Sequence, residues 1–230
     1  MARSPGGYRG AAAAPPGRDA ILQAFLVLLG EKPFDSISLI EVANKAGVSL
    51  ADLRASFGST FDMVSAFIRE TDRKVLAVEA QDMEDQSPRD RLFDVLMRRL
   101  DALAPHKAAV RSLGDSARRS PMFALALNRL AVRSQQWMLA AAKIDVAGLR
   151  GAVRAQGLAV LFSQVLTVWL RDEDPGLAHT MAALDRKLDK GERALGLMHN
   201  VCRLATCGGR RRRSRHESTP SPEPDAPLAA

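Results

Sequence analysis

The sequence predicts an all-α protein, with short N-terminal helices followed by longer ones. Three observations carry the helical expectation. Apolar residues recur at helical spacing along most of the chain from Ile21 to Leu188. No stretch reads as a strand run bounded by turn signals. Ala, Leu and Arg dominate, and aromatics make up only 5%. With 230 residues, 47% apolar and 26% charged, the chain is long enough for one or two domains with a sizeable core.

Residues 1–17 are Ala-, Gly- and Pro-rich without periodicity and read as a disordered arm. Ile21, Leu22, Phe25, Leu26, Leu28 and Leu29 then share a helix face. A signal peptide is a poor fit, because Asp19 precedes the apolar run and no small-residue cleavage site follows. Between Ile37 and Phe57 the pattern is two short helices around a tight turn. Ser38 caps the first, and Glu41 three residues on completes a capping box. Leu39, Ile40, Val42 and Ala43 form its apolar side. Gly47 leaves the helix through the left-handed region, which glycine enters without steric cost. Ser49 caps the second helix with Asp52 in the reciprocal position, and Leu53 and Phe57 lie on its buried face. Helix, glycine turn and capped helix make a helix-turn-helix, whose second helix enters the DNA major groove.

Ser59 caps a long helix reaching about Glu79, with Phe61, Val64, Phe67, Ile68, Val75 and Leu76 as its stripe. Residues 80–87 form a polar break. Ser87-Pro88 opens the next helix, with Pro at the first helical position and Leu92, Val95, Leu96, Leu100 and Leu103 in register. Pro105 starts a shorter helix, and Ser120-Pro121 starts one reaching about Ala142. A loop containing Gly148 and Gly151 follows. Residues 152–171 carry Leu158, Leu161, Phe162, Val165, Leu166 and Trp169 at helical spacing. Asp174-Pro175-Gly176 is a turn, Leu177 to Leu188 is helical, and a last helix spans Glu192 to about Ala205. Residues 207–230, with Arg210 to Arg213, form a disordered basic and Pro-rich tail. No run approaches the roughly 20 apolar residues of a membrane span.

The formal charge of +7 is unevenly placed: +2 over residues 1–17, −2 over 18–80, +5 over 81–207 and +2 over 208–230. Phosphate neutralisation normally supplies much of the affinity for DNA, so a slightly acidic head weighs against the direct reading. Residues placed to reach a duplex are Lys45, Ser49, Leu50, Ala51, Asp52, Arg54, Ser56 and Thr60, of which Arg54 is the strong donor. No catalytic constellation or glycine-rich phosphate loop stands out, so no enzyme and no cofactor is expected. His199, Cys202 and Cys207 have loosely metal-like spacing, but a closed zinc site takes four ligands with paired spacing. Two cysteines give no disulfide framework, and a reducing cytoplasm is the default.

A helix Ile21 to Leu29, then Ile40, Val42, Ala43, Ala46-Gly47-Val48-Ser49, Leu53 and Phe57-Gly58-Ser59, resembles TetR-type transcription regulators over about 60 residues. The resemblance implies a DNA-binding head at 18–64 and a ligand-binding and dimerisation body at 65–206. It implies a homodimer on a double-stranded operator, released or retained by a small molecule, with repression as the usual mode. Coupling would run through the helix Ser59–Glu79. The recognition helix departs from the family's usual Lys, Tyr and His. The inducer of such proteins sits in an apolar body pocket, for which Phe93, Met97, Met122, Phe123, Trp137, Met138, Phe162 and Trp169 are the candidates, or else plain core; an apolar or amphipathic ligand is implied. The helices Gly151–Arg171 and Leu177–Leu188 would pair with a second copy or bury their stripes within one subunit.

A second, patchier resemblance covers about 100 residues. Arg91-Leu92, Arg99-Leu100, Leu103-Ala104-Pro105, Trp137, Trp169-Leu170, Asp172, Asp174-Pro175-Gly176, Thr180 and Leu184-Asp185-Arg186 are similar to the lipid-binding accessory proteins of ubiquinone biosynthesis. Those keep a TetR-like fold, do not act through DNA, and use a terminal amphipathic helix at membranes. The family's aromatic after the threonine is Met181 here. The last helix, with Leu195, Met198, Val201, Cys202 and Ala205 on one side, followed by the basic run, suits an anionic membrane surface, nucleic acid, or a packed terminus.

Overall fold

Local capping sets the N-terminal part of the fold. A computed structural model describes residues 17–78 and 85–193. Helix α1 (Arg18–Glu31) buries Ile21, Leu22, Phe25 and Leu29. A 3-10 turn at Phe34–Ser36 leads to α2 (Leu39–Ala46). There the amide of Glu41 donates to Ser38 Oγ at 3.2 Å, and the amide of Ser38 donates to Glu41 Oε2 at 2.9 Å. Gly47 leaves α2 at φ 67°. The same reciprocal pair recurs at α3 (Leu50–Ser56), where the Asp52 amide donates to Ser49 Oγ at 3.1 Å and the Ser49 amide to Asp52 Oδ2 at 3.3 Å. Each cap satisfies backbone donors that a helix start leaves open, a contribution of about 1 kcal/mol.

Serine also caps three later helices: α4 (Thr60–Leu76) at Ser59, α5 (Pro88–Leu103) at Ser87 and α7 (Pro121–Ala141) at Ser120. Between α5 and α7 a 3-10 turn at Ala104–His106 runs into α6 (Lys107–Arg119). Helix α8 (Gly148–Trp169) follows, and helical residues 178–193 make α9. No strand occurs among the described residues, as the periodicity predicts. The described residues up to Asp185 belong to one compact unit and those from Arg186 to another. Within the first, α1 packs on α2 and α6, α4 on α5 and α7, and α7 on α8. The core is aliphatic, with Phe25, Leu29, Met63, Leu96, Leu100, Met138 and Trp169 sealed from solvent.

The structure corrects several expectations. Leu39 and Ile40 are exposed rather than on the packed side of α2, which buries only Val42 and Ala43. Eight residues give little more than two turns, so one narrow stripe meets α1. Gly148 and Gly151 belong to α8 instead of a loop. A Cβ on Gly151 would meet the Val146 carbonyl oxygen at 1.9 Å, so a bare backbone there lets the preceding segment lie against the helix. No break separates the last described helical residues, which run uninterrupted over 178–193. Helix α8 is long and apolar enough in composition to cross a membrane, although Arg150, Arg154 and Gln156 interrupt its apolar residues. Its apolar residues serve the fold, where Ala155, Leu158, Phe162, Val165 and Trp169 are buried. Expectations for the N-terminal arm up to residue 16, for Glu79, for the helix beyond residue 193, for His199, Cys202 and Cys207, and for the basic tail fall outside the described residues.

Candidate nucleic-acid interface and body cavity

The head offers one short exposed helix face. Leu53 and Phe57 anchor α3 in the core at 2% and 4% exposure, which turns Leu50, Ala51, Asp52, Arg54 and Ala55 outward. Ser49 and Asp52 are committed to the cap, and Ser49 Oγ also donates to Asp52 Oδ2 at 2.6 Å. Lys45 on α2 is exposed and stands 3.5 Å from Glu31. Ser56 and Thr60 are half-buried. These residues come from α2, from α3 with its cap and from the start of α4, and Arg54 is the exposed cation of α3. Leu50, Leu39 and Ile40 add an apolar rim at the starts of α2 and α3.

Arg18 has a role that sequence reading missed. Its guanidinium lies 4.2 Å above the Phe57 ring and donates to the Ser56 carbonyl, so it caps the C-terminal end of α3, where carbonyls lack helical partners. Lys32 pairs with Glu41. That hydrogen bond, with those from Ser38, lowers the Glu41 carboxyl to about 2.

The segment between α1 and α2 is tied to α6 and α7. Ser112 Oγ donates to the Lys32 carbonyl at 3.0 Å, and the Phe34 amide donates to Ser116 Oγ at 3.3 Å. Phe34 in turn stacks on Phe123 of α7 with centroids 4.5 Å apart.

The body holds a cavity of about 450 Å³ walled by α4, α5, α6, α7 and α8. Its wall is mainly apolar, with Phe67, Leu103, Leu113, Leu127, Phe162 and Leu166 prominent. Of the residues selected from sequence, only Phe162 lines it. Met138 and Trp169 are sealed in the core at 0% and 1% exposure, while Met122 and Trp137 face outward at 77% and 59%. Phe123 packs with Phe34 and Phe61, centroids 4.5 and 6.0 Å away. Phe93 and Met97 are half-buried on α5 and are not part of the wall. Large aromatic and Met side chains fill space; the cavity lies where Ala117, Ala124, Ala131 and Ala159 leave it.

Two buried polar residues of that wall were also missed. Arg99, 5% exposed, pairs with Asp72 of α4, and Ser134 of α7 donates to the same Asp72 oxygen at 2.7 Å. Gln135, 2% exposed, lies beside this group in sequence. The signal was present: Arg99 falls within the α5 stripe of Leu92, Val95, Leu96 and Leu103, where an unpaired charge would be costly.

One part of the second resemblance, Asp172 to Thr180, builds a turn. Asp172 Oδ2 accepts from the Thr180 amide at 2.9 Å and its hydroxyl at 2.6 Å. The Thr180 hydroxyl in particular holds the Asp172 carboxyl below its usual range. Lys107 donates to the Asp172 carbonyl at 2.8 Å and sits 5.3 Å over the Trp169 ring.

No family model matches this chain, and no curated protein matches it. Solved structures do. A TetR transcriptional regulator from Nitrosomonas europaea ATCC 19718 superposes with a TM-score of 0.61 at 23% identity, over 77% of this chain and 98% of that one. A TetR transcriptional regulator from Rhodococcus sp. RHA1 gives 0.51 at 22% identity, over 76% and 94%. Capped helix-turn-helix, long linking helix and cavity-bearing body together are the TetR-regulator fold, and this chain has that fold.

Proposed function

We propose that the protein is a DNA-binding transcription regulator of TetR type, a ligand-responsive repressor acting as a cytoplasmic homodimer on a double-stranded operator. The head would span 18–64 and the ligand-binding and dimerisation body 65–206. The observation that carries the reading is the doubly capped helix-turn-helix with α3 exposed around Arg54. Arg54 is the donor for phosphate or a guanine edge, and exposed Leu50 and Ala51 suit thymine methyl groups. Small α8 residues, Ala152 and Gly157 among them, permit close approach of a second copy, which would place two α3 helices on successive major grooves.

The cavity shares its walls with the helices that reach the head. Phe67 and Ile68 of α4 line it, as do Val110, Leu113 and Ala117 of α6, while Ser112 and Ser116 on another side of α6 hold the head. Ligand entry would therefore bias two helices, α6 as well as the α4 route expected from sequence. A ligand shifts such an equilibrium only by its differential affinity for the two states.

The test is selection from genomic fragments followed by a salt titration, with the chain shortened after Gly208 in parallel. Sequence-selective binding that survives shortening is expected, with log affinity falling against log salt by about 0.9 per phosphate contact. Arg54→Ala should weaken it about tenfold or more. Unselective binding that disappears with the tail would sink the proposal and turn attention to liposome flotation.

A further inference from the structure

The polar groups of the cavity wall are not equivalent. Asn128 exchanges two hydrogen bonds with Gln156, at 3.0 and 3.2 Å. Ser163 donates to the Val160 carbonyl and Thr167 to the Ser163 carbonyl. Arg118 pairs with Asp115. Two wall residues differ: Arg99 Nε and Gln135 Oε1 are buried polar atoms with no hydrogen-bond partner among the described residues. Native interiors seldom leave such atoms unmatched, because a buried donor or acceptor without a partner loses its hydration and gains nothing in return.

We propose that the cavity binds, at Arg99 and Gln135, the head group of a neutral amphipathic molecule, one that accepts from Arg99 and donates to Gln135, as an aliphatic alcohol or primary carboxamide does. The proposal rests on reading the cavity as an effector site and adds its chemistry. One donor and one acceptor call for a head group that offers both functions. Charge decides against ions. Asp72 already balances Arg99, so a carboxylate would bring an uncompensated negative charge beside Asp72. An ammonium would face the Arg99 guanidinium. Burying either kind of ion unpaired is far more costly than burying a hydroxyl. The rest of the wall, largely Leu, Ala, Val and Phe, takes an alkyl or aryl tail, and the volume lies in the ordinary range of small-molecule sites. The ring of Phe162, which lines the same cavity, lies 5.6 Å from the Arg99 guanidinium carbon.

The experiment uses the full chain without DNA and a matched series: 1-decanol, decanamide, n-decane, decanoate and decylammonium at neutral pH. Calorimetric titration and thermal midpoint are the readouts. Decanol and decanamide should bind, decane more weakly, and the two ions least. Gln135→Leu and Arg99→Lys, the latter keeping a charge for Asp72, should each lose about tenfold for decanol and decanamide while decane is unchanged. Ser163→Ala, whose hydroxyl is already bonded, should retain the wild-type order. Circular dichroism of each variant checks that it folds. Preference for decanoate or decylammonium, equal affinity of all variants for decanol, or no binding by any member would overturn the proposal. Omitting DNA separates the outcomes: binding in the expected order would leave the site standing even if the genomic-fragment selection defeated the regulatory reading.

Discussion

Glu41 accepts from Ser38 at the start of α2 and pairs with Lys32 beyond α1, so one carboxylate joins two segments of the head. Its pKa is lowered to about 2 in the fold, below an unfolded value of about 4.3. The folded state therefore binds the proton less readily than the unfolded chain. The stabilisation is complete above the unfolded value and lost as pH falls through the folded one. Acid titration of unfolding should show wild type and Glu41→Gln differing most near neutrality and converging toward pH 2. The pair is partly exposed, so added salt should shrink the difference. Asp72 and Arg99 lie at the other extreme, both buried. Arg99→Met alone should cost about 3–5 kcal/mol in denaturant unfolding because it strands a buried carboxylate. The double variant with Asp72→Asn should recover much of that loss. Capping serines were legible because their partners lie three residues away. Asp72 and Arg99 are 27 residues apart in sequence, and nothing local announces that they meet.

At the scale of elements, two glycines separate strain from collision. Gly47 adopts φ 67° with no atom within 4 Å of an added Cβ. Gly47→Ala should therefore cost only the left-handed backbone penalty, about 1–2 kcal/mol. At Gly151 the obstacle is a backbone carbonyl at 1.9 Å, which cannot rotate aside as a side chain can. Gly151→Ala should be the more damaging change, exceeding about 2 kcal/mol in the same measurement. Sequence showed the first case because a glycine between two capped helices has one obvious use. It assigned the second to a loop, since the contact that excludes a Cβ comes from the fold of Val146 onto α8. The cavity was illegible for a related reason. Its wall is set by small residues such as Ala131 and Ala159, and an alanine in a helical stripe reads the same whether it faces a neighbour or a hollow.

For the whole molecule, the proposed dimer makes a demand that one residue can test. Gly157 on α8 is exposed, with nothing within 4 Å of an added Cβ, so the subunit itself has room for a side chain. Gly157→Arg should leave the helical signal and much of the subunit's stability intact, yet shift sedimentation toward the monomer and weaken operator binding in step. A stable dimer with that substitution would move the interface elsewhere, toward the outward apolar side chains Met122, Leu125 and Trp137 of α7. The first described residue also has a practical bearing. A Cβ on Gly17 would lie 3.8 Å from Val48 in the turn before α3, and Arg18 is bound to the far end of that helix. Whatever precedes residue 17 therefore joins the fold beside the surface proposed to meet DNA. An affinity tag at that end is a participant in any operator assay, and its charge would be read as the protein's own.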